Sequence, residues 1–300
     1  MPGHSPQYRG RFAPSPTGPL HLGSLIAALA SYLDARHAGG AWLVRMEDLD
    51  PPREEAGAAQ RILHSLRCHG LCWDGEVLWQ GTRAAAYREA LDRLAADGHL
   101  FHCDCTRALL GPGGACAGRC APRQDQVRAP YATRVQVPAD CRIRFQDLLQ
   151  DARDEPLGSQ FPDFVVKRKD GLDAYQLAVV VDDAFQGITH IVRGSDLLDS
   201  TPRQVFLQQL LGYPIPAYGH LPVITNQQGQ KFSKQNHAPA IDDQQPVVNL
   251  RRALRFLHQP APPSELDSAA ALLDFATRHW APARIPRAMA VAASSLGLQE

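Results

Sequence analysis

Apolar residues recur along the opening of the chain with two different periods. Tyr8 to Ala13 predicts a short strand that runs into the turn Pro14-Ser15-Pro16-Thr17-Gly18-Pro19. Leu22, Leu25, Ile26, Leu29 and Leu33 then recur at helical spacing, and Gly39-Gly40 stops that helix. Trp42 to Met46 predicts a buried strand. Strand, loop, helix and strand in this order form the half-unit of a nucleotide-binding α/β sheet. Glu54 to Gly70 and Thr82 to Gly98 predict amphipathic helices, and 103–120 is too glycine-rich for a regular element. Short strands and loops are expected from Tyr131 to Phe164. Ala174 to Val181 and Ile188 to Arg193 predict buried strands. Thr201 to Leu211 predicts a helix with Pro202 in its first turn. Leu221 to Thr225 predicts a strand, followed by a polar loop from Asn226 to Gln235. Past about residue 245 the pattern is helical, punctuated by Pro260, Pro262 and Pro263. No period of about 20–50 residues repeats, which excludes solenoids and propellers. The layout is an α/β core, interrupted near 100–170 and followed by a small helical region.

Charge and cysteine usage narrow the chemistry. The 31 Lys+Arg balance 31 Asp+Glu over 300 residues, unlike a generic nucleic-acid coat, which is strongly basic. Apolar stretches fall far short of a membrane span, and the first ten residues do not form a basic-then-apolar leader. A cytoplasmic location is expected. Of the seven cysteines, Cys103, Cys105, Cys116 and Cys120 fall within 18 positions as C-x-C, ten residues, C-x₃-C. Four thiolates joined by a connector rich in glycine can close a structural tetrahedral Zn²⁺ site. The alternative is four free cysteines in a degenerate knuckle. Cys68 and Cys72 read as helix-core thiols, Cys141 has no evident partner, and His102 reads as a bystander.

Two segments suit phosphate chemistry. Arg11 to Ser24 ends a strand, turns, and begins a helix near His21. A helix N-terminus presents unpaired N–H groups and a positive dipole end, His21 adds a side-chain donor, and Gly23 permits close approach to the backbone. The second segment is Lys231-Phe232-Ser233-Lys234-Gln235. It holds two of only four lysines among the 31 basic residues, and a loop lysine is a mobile charge for a leaving pyrophosphate. A capped helix and a solvated loop are the plainer readings. On residue type alone, Tyr175 reads as a core aromatic on a strand, Arg193 as a surface ion pair, and Asp182-Asp183 as solvated loop charges.

Together these segments resemble the class I aminoacyl-tRNA synthetases. His21-Leu22-Gly23-Ser24 stands for the "HIGH" signature and Lys231 to Gln235 for "KMSKS", with Phe232 in place of Met and Gln235 in place of the last Ser. Arg11-Phe12-Ala13-Pro14-Ser15-Pro16-Thr17-Gly18 and Glu47-Asp48-Leu49-Asp50 are similar to the glutamyl/glutaminyl branch. The resemblance covers roughly residues 8 to 240 in order. Only about 65 residues follow the second signature, whereas complete glutamyl-tRNA synthetases carry anticodon-binding domains there. The resemblance is therefore to the stand-alone glutamyl-queuosine tRNA(Asp) synthetases.

That resemblance implies an α/β fold: a Rossmann-type parallel-sheet catalytic domain with a zinc-bearing insertion and a small C-terminal helical region. Residues 1–100 and 173–240 would form the two catalytic halves, 101–172 the acceptor-binding-like insertion and 241–300 the helical region, with no anticodon-binding domain. It implies ATP-dependent activation of glutamate, then transfer to the cyclopentenediol of queuosine in the anticodon of tRNA(Asp). His21, Lys231 and Lys234 would be catalytic, and with Gly23 and Ser24 would bind ATP, which Mg²⁺ would accompany. Arg11, Phe12, Ala13, Pro14, Ser15, Glu47, Tyr175 and Arg193 would bind glutamate, with Glu47 on its ammonium. The family's metal set is Cys, Cys, Tyr, Cys; Cys116 on the Tyr position would complete four thiolates and hold one structural zinc. Arg107, Arg119, Arg123, Arg128 and Arg134, and Arg251, Arg252, Arg255, Arg278, Arg284 and Arg287, are either RNA contacts or solvated surface. A monomer is expected. The rival readings are a truncated glutamyl-tRNA synthetase charging a tRNA 3′ end and a non-catalytic zinc-bearing RNA-binding regulator.

Overall fold

A computed structural model describes residues 7–226 and 239–296. Lys231, Phe232, Lys234 and Gln235 lie outside the described residues. The opening unit comprises β1 (Arg9–Phe12), α1 (Leu22–His37), β2 (Ala41–Met46), α2 (Ala58–Cys68), β3 (Leu78–Trp79) and α3 (Ala84–Ala96). The interrupting segment supplies β4 (Leu100–Cys103), β5 (Ala132–Gln136), β6 (Ile143–Phe145), β7 (Arg153–Glu155), α4 (Leu157–Gln160) and β8 (Asp163–Lys167). The chain returns through α5 (Tyr175–Phe185), β9 (His190–Gly194), α6 (Thr201–Leu211), β10 (Ala217–Leu221) and β11 (Val223–Thr225). It continues with α7 (Pro246–Phe256), α8 (Ala269–Arg278) and β12 (Ala290–Ala292).

Strands β1, β2 and β3 form one parallel ladder, and β9 and β10 form another. The two abut where the Thr189 N–H donates to the Arg9 carbonyl at 2.9 Å. β1 leads through α1 to β2 on one side and lies against β9 on the other, so a crevice opens at the carboxyl ends of β1 and β9. That is where ligands bind in open parallel sheets. Strands β4, β5 and β8 form a separate antiparallel sheet that carries the cysteine segment.

The core is shared across sequence-distant elements. One apolar cluster joins α1 and β2 to Leu250, Leu254, Leu272 and Trp280, so α7 and α8 pack on the opening unit. A second joins Val135, Phe164 and Val166 of the antiparallel sheet to Leu177, Val180, Val205 and Leu207. The C-terminal region is not wholly helical: β12 runs parallel to β11, and the Met289 carbonyl accepts from Val223 N–H at 3.0 Å and Ser195 Oγ at 2.5 Å.

One expected strand is a helix. Ala174 to Val181 forms most of α5, in which every residue from Gln176 to Asp183 is buried. A helix covered on all sides is apolar all round, so its valine run shows no amphipathic period and imitates a buried strand. The helix also overturns the expectation that Asp182 and Asp183 are solvated. Asp182 accepts from Gln80 Nε2 (2.8 Å), Tyr87 Oη (2.7 Å) and Arg83 Nε (3.0 Å). Asp183 accepts from Arg11 Nε (3.1 Å), Arg11 Nη2 (3.3 Å) and Arg45 Nη1 (2.7 Å). Cys72 is exposed and lies beyond α2, and Cys68 is only half-buried, so neither is a helix-core thiol.

Asp183, Arg11 and Arg45 are all less than 5% exposed. Burial alone raises a carboxyl's pKa, but the two guanidiniums outweigh it and hold Asp183 below its ordinary value. Removing one member of such a cluster strands buried charge. Asp183→Asn is therefore expected to cost about 3–5 kcal/mol of stability, read as a lowered urea midpoint.

Candidate functional site

The sequence begins the site with a turn that carries Ala13 to Pro19 between β1 and α1. The Pro14 carbonyl accepts the Glu47 N–H at 2.9 Å, which fastens this turn to the end of β2. His21 caps α1: its Nδ1 accepts from the Ser24 N–H at 3.2 Å. Its Nε2 then carries the proton and faces Ser24 Oγ at 3.0 Å. A Cβ on Gly23 would stand 3.2 Å from both the His21 ring and Ile224 Cγ2, so glycine keeps this corner uncrowded.

A cleft of about 510 Å³ opens here. It is lined by Arg11, Phe12, Ala13, Pro14, Ser15, His21, Gly23, Ser24, Glu47, Tyr175 and Arg193, which are all the described residues expected for nucleotide and glutamate. Thr17, Val192, Asp196, Leu197 and Pro222 also line it, and pattern reasoning missed them. Lys231 and Lys234 cannot be placed, since they lie outside the described residues.

Three cationic or carboxylate groups define the polar end. Arg11 spends Nε and Nη2 on Asp183, and Nη1 takes no part in that pair. Glu47, 10% exposed at its side chain, accepts from Arg45 Nη2 at 3.3 Å. Burial raises the Glu47 pKa, with Arg45 and Arg11 opposing it. Tyr175 is the first residue of α5 and not a strand aromatic. Arg193 Nη1 donates to its hydroxyl at 3.4 Å.

Arg193 is not a surface ion pair either; it is 5% exposed. Its Nη2 donates to Thr201 Oγ1 at 2.8 Å and its Nε to His220 Nε2 at 3.2 Å. His220 in turn donates Nδ1–H to Asp147 at 2.5 Å. An Nε2 that accepts and an Nδ1 that donates define a neutral imidazole. Thus Asp147 and His220, which carry no sequence signature, aim Arg193 at Tyr175.

A second cavity, of about 700 Å³, shares Ser15, Thr17, Glu47 and Tyr175 with the first. Its remaining wall includes Asp50, Glu54 and Asp173, with Arg53 and Arg168. Glu54 Oε1 is shielded from solvent and has no hydrogen-bond partner. Burial, and after it the Asp48 charge, raises its pKa.

The four cysteines of the interrupting segment come together. Their sulfurs lie within 4.8 Å of one another and all four residues are buried. Cys105 Sγ stands 3.9 Å from Cys116 and 3.5 Å from Cys120. A tetrahedron with zinc–sulfur bonds of about 2.3 Å places its sulfurs ~3.8 Å apart, so the set fits that ion. Gly113, Gly114 and Gly118 take φ of 64°, 75° and 74°, and let the connector turn back. Asp163 accepts the Cys116 and Ala117 N–H groups at 2.9 and 2.8 Å and pairs with Arg134. Lys169 Nζ donates to the Asp104 and Cys105 carbonyls, and Arg123 Nη2 to Cys120 Sγ at 3.1 Å. Arg134, read from the sequence as either an RNA contact or solvated surface, is neither open to RNA nor solvated: it is buried as a support of this knuckle. His102 lies outside the cluster, as expected, and its ring packs on Tyr131.

The remaining arginines divide. Arg251 donates to the Pro262, Pro263 and Leu266 carbonyls and fastens a loop. Arg278 pairs with Asp274 and Arg287 with Asp151. Arg107, Arg252, Arg255 and Arg284 are exposed. Among the described residues, no helix is long and apolar enough to cross a membrane.

Comparison with known proteins gives concordant results. Residues 7–111 and 121–251 match the family model for tRNA synthetases class I (E and Q), catalytic domain. The glutamyl-Q tRNA(Asp) synthetase of Thiobacillus denitrificans is 54% identical over 291 residues, spanning 92% of this chain and 94% of that protein. The protein of the same name from Xanthomonas campestris is 51% identical over 289 residues, spanning 96% of each. Among solved structures, a glutamate-tRNA synthetase from Elizabethkingia anophelis superposes with a TM-score of 0.78 at 23% identity. It covers 97% of this chain but 69% of that one, and at this identity it speaks for the fold alone.

The Arg193 relay carries a pH signature. Burial lowers the His220 pKa from its ordinary 6.5, so the folded state holds it neutral. That contribution is complete above pH 6.5 and is lost as pH falls below it, because the unfolded chain then binds the proton more readily. Thermal melts of the wild type should show stability declining below about pH 6.5, with a shallower decline in His220→Asn.

Proposed function

The chain belongs to the class I tRNA synthetases of the glutamate and glutamine branch, and from that premise we infer that it joins glutamate to queuosine in tRNA(Asp). It first forms glutamyl-adenylate from glutamate and ATP, expelling pyrophosphate. A hydroxyl of the cyclopentenediol in the tRNA(Asp) anticodon then attacks the mixed anhydride and releases AMP. The observation that carries this reading is the convergence of the expected nucleotide and glutamate residues on one cleft, in a chain whose full-length relatives bear that name.

Each residue has a physical task in this reading. His21 and the N-terminus of α1 stabilise charge on the α-phosphate, while Gly23 and Ser24 lie against the nucleotide. Lys231 and Lys234, assigned from sequence, neutralise the departing phosphates, with Mg²⁺ accompanying ATP. Arg193, held by His220 and Thr201, and the Nη1 of Arg11 that lies outside the Asp183 pair grip the carboxylates of glutamate. Glu47 takes the ammonium, which relieves a carboxylate that burial disfavours. Tyr175 supplies a hydroxyl and an apolar wall, and Phe12 to Ser15 form the backbone floor. Neither step needs a covalent nucleophile on the protein; positioning and charge stabilisation suffice.

The second cavity suits the acceptor. It opens onto the first at Glu47 and Tyr175, and its carboxylates can accept hydrogen bonds from a diol. Zinc at Cys103, Cys105, Cys116 and Cys120 is structural, because four thiolates leave no position for water. The unit from residue 101 to 172 is proposed to guide the RNA. The catalytic halves are proposed as 1–100 and 173–240, followed by the region 241–300. Action in the cytoplasm as a monomer belongs to the same proposal.

Labelled glutamate should attach to tRNA(Asp) only when queuosine is present, after glutamate-dependent ATP–pyrophosphate exchange that needs no tRNA. Equal labelling of queuosine-free tRNA(Glu) would instead support 3′-end charging, and absence of exchange would remove the enzymatic reading. Separately, Cys103→Ser should lose one equivalent of zinc by elemental analysis and melt at lower temperature, since structural zinc contributes directly to folding.

A further inference from the structure

Helix α2 places His64 and Cys68 one turn apart on the same face. His64 Nε2 stands 3.4 Å from Cys68 Sγ. Asp243 arrives from the stretch preceding α7, and one ligand atom from each of the three residues lies within 4.8 Å of the other two. The carboxylate is oriented from outside the trio: Asp243 Oδ2 accepts from Ser65 Oγ at 2.9 Å. Its Oδ1 is shielded from solvent and accepts no hydrogen bond. His69 does not donate to it. The His69 Nδ1 is 4.0 Å away, and that nitrogen is committed to the Ser65 carbonyl at 2.7 Å. The other His69 nitrogen accepts from Asn249 Nδ2 at 3.0 Å. A carboxylate with one shielded, donorless oxygen therefore lies beside a thiol and an imidazole.

We propose that His64, Cys68 and Asp243 form a second metal site, separate from the four-cysteine knuckle, for a borderline divalent cation of the Zn²⁺ type. The donor set is one nitrogen, one sulfur and one oxygen. A thiolate disfavours the hard cations Mg²⁺ and Ca²⁺, and imidazole with thiolate suits zinc. Binding displaces the thiol proton to solvent and forms the metal–sulfur bond. His64 is exposed, so water completes the coordination from outside. The bound ion ties α2 to the entrance of α7.

The test uses the full chain equilibrated with micromolar free Zn²⁺, followed by metal counting. The wild type should bind two equivalents. His64→Ala and Cys68→Ser, both at surface-accessible positions, should each bind one fewer while retaining the knuckle's zinc. Replacing Zn²⁺ with Co²⁺ should give a thiolate charge-transfer band that weakens in Cys68→Ser. If the wild type and both variants bind the same number of equivalents, the site does not exist. An extra equivalent that persists in both variants equally overturns the proposal, since that ion then lies elsewhere. Neither result bears on glutamate activation, because none of the three residues lines either cavity.

Discussion

Asp183 sits between two guanidiniums in a place that water does not reach. Arg11 comes from the first strand, Arg45 from the second, and Asp183 from a helix more than 130 residues further along. Charges so buried are costly unless each finds a partner, and here each partner belongs to a different element. The pairing therefore registers β1, β2 and α5 against one another. It also decides what the cleft can offer. Arg45 reaches Glu47, Arg11 keeps one nitrogen out of the Asp183 pair, and the first turn of α5 presents Tyr175. The groups that line the cleft are the outward ends of an ionic cluster whose inward ends hold the sheet.

Arg193 is organised on the same plan by a different set of partners. Asp147, from the loop between β6 and β7, accepts from His220, which accepts from Arg193. The interrupting segment is thus coupled to the cleft through its apolar contact with α5 and α6 and through polar contacts that include the Asp147 carboxylate. The cysteine knuckle follows this habit too. Asp163 and Arg134 lie in the antiparallel sheet and hold the loop backbone from beneath. In all three places a buried arginine meets a partner from a distant part of the chain and fixes the geometry of the elements that it joins.

Much of the cleft and of the cysteine cluster was legible in the sequence because their residues lie close together along the chain. The turn from Arg11 to Ser24 and the four cysteines are local, and locality survives without a structure. What was lost concerns partners distant in the chain. Asp182 and Asp183 look solvated until the helix that carries them is seen to be enclosed, and enclosure erases the amphipathic period that would reveal a helix. Arg134 reads like any surface arginine in the sequence; only the position of Asp163 shows that it faces inward. His220 and Asp147 carry no motif at all. Cys68 and Cys72 share a helical spacing, but the helix stops between them.

The short strand β12 has a consequence for handling the protein. Residues 288–292 supply carbonyls to Gln150, Ser195 and Val223 and lie in parallel register with β11, whose Ile224 packs toward Gly23 and the cap of α1. The stretch is therefore a brace for one wall of the cleft lined by His21, Gly23 and Ile224. A shortened version that kept both signatures but omitted this stretch would look complete to any motif search. It would nonetheless have a loosened wall on that cleft.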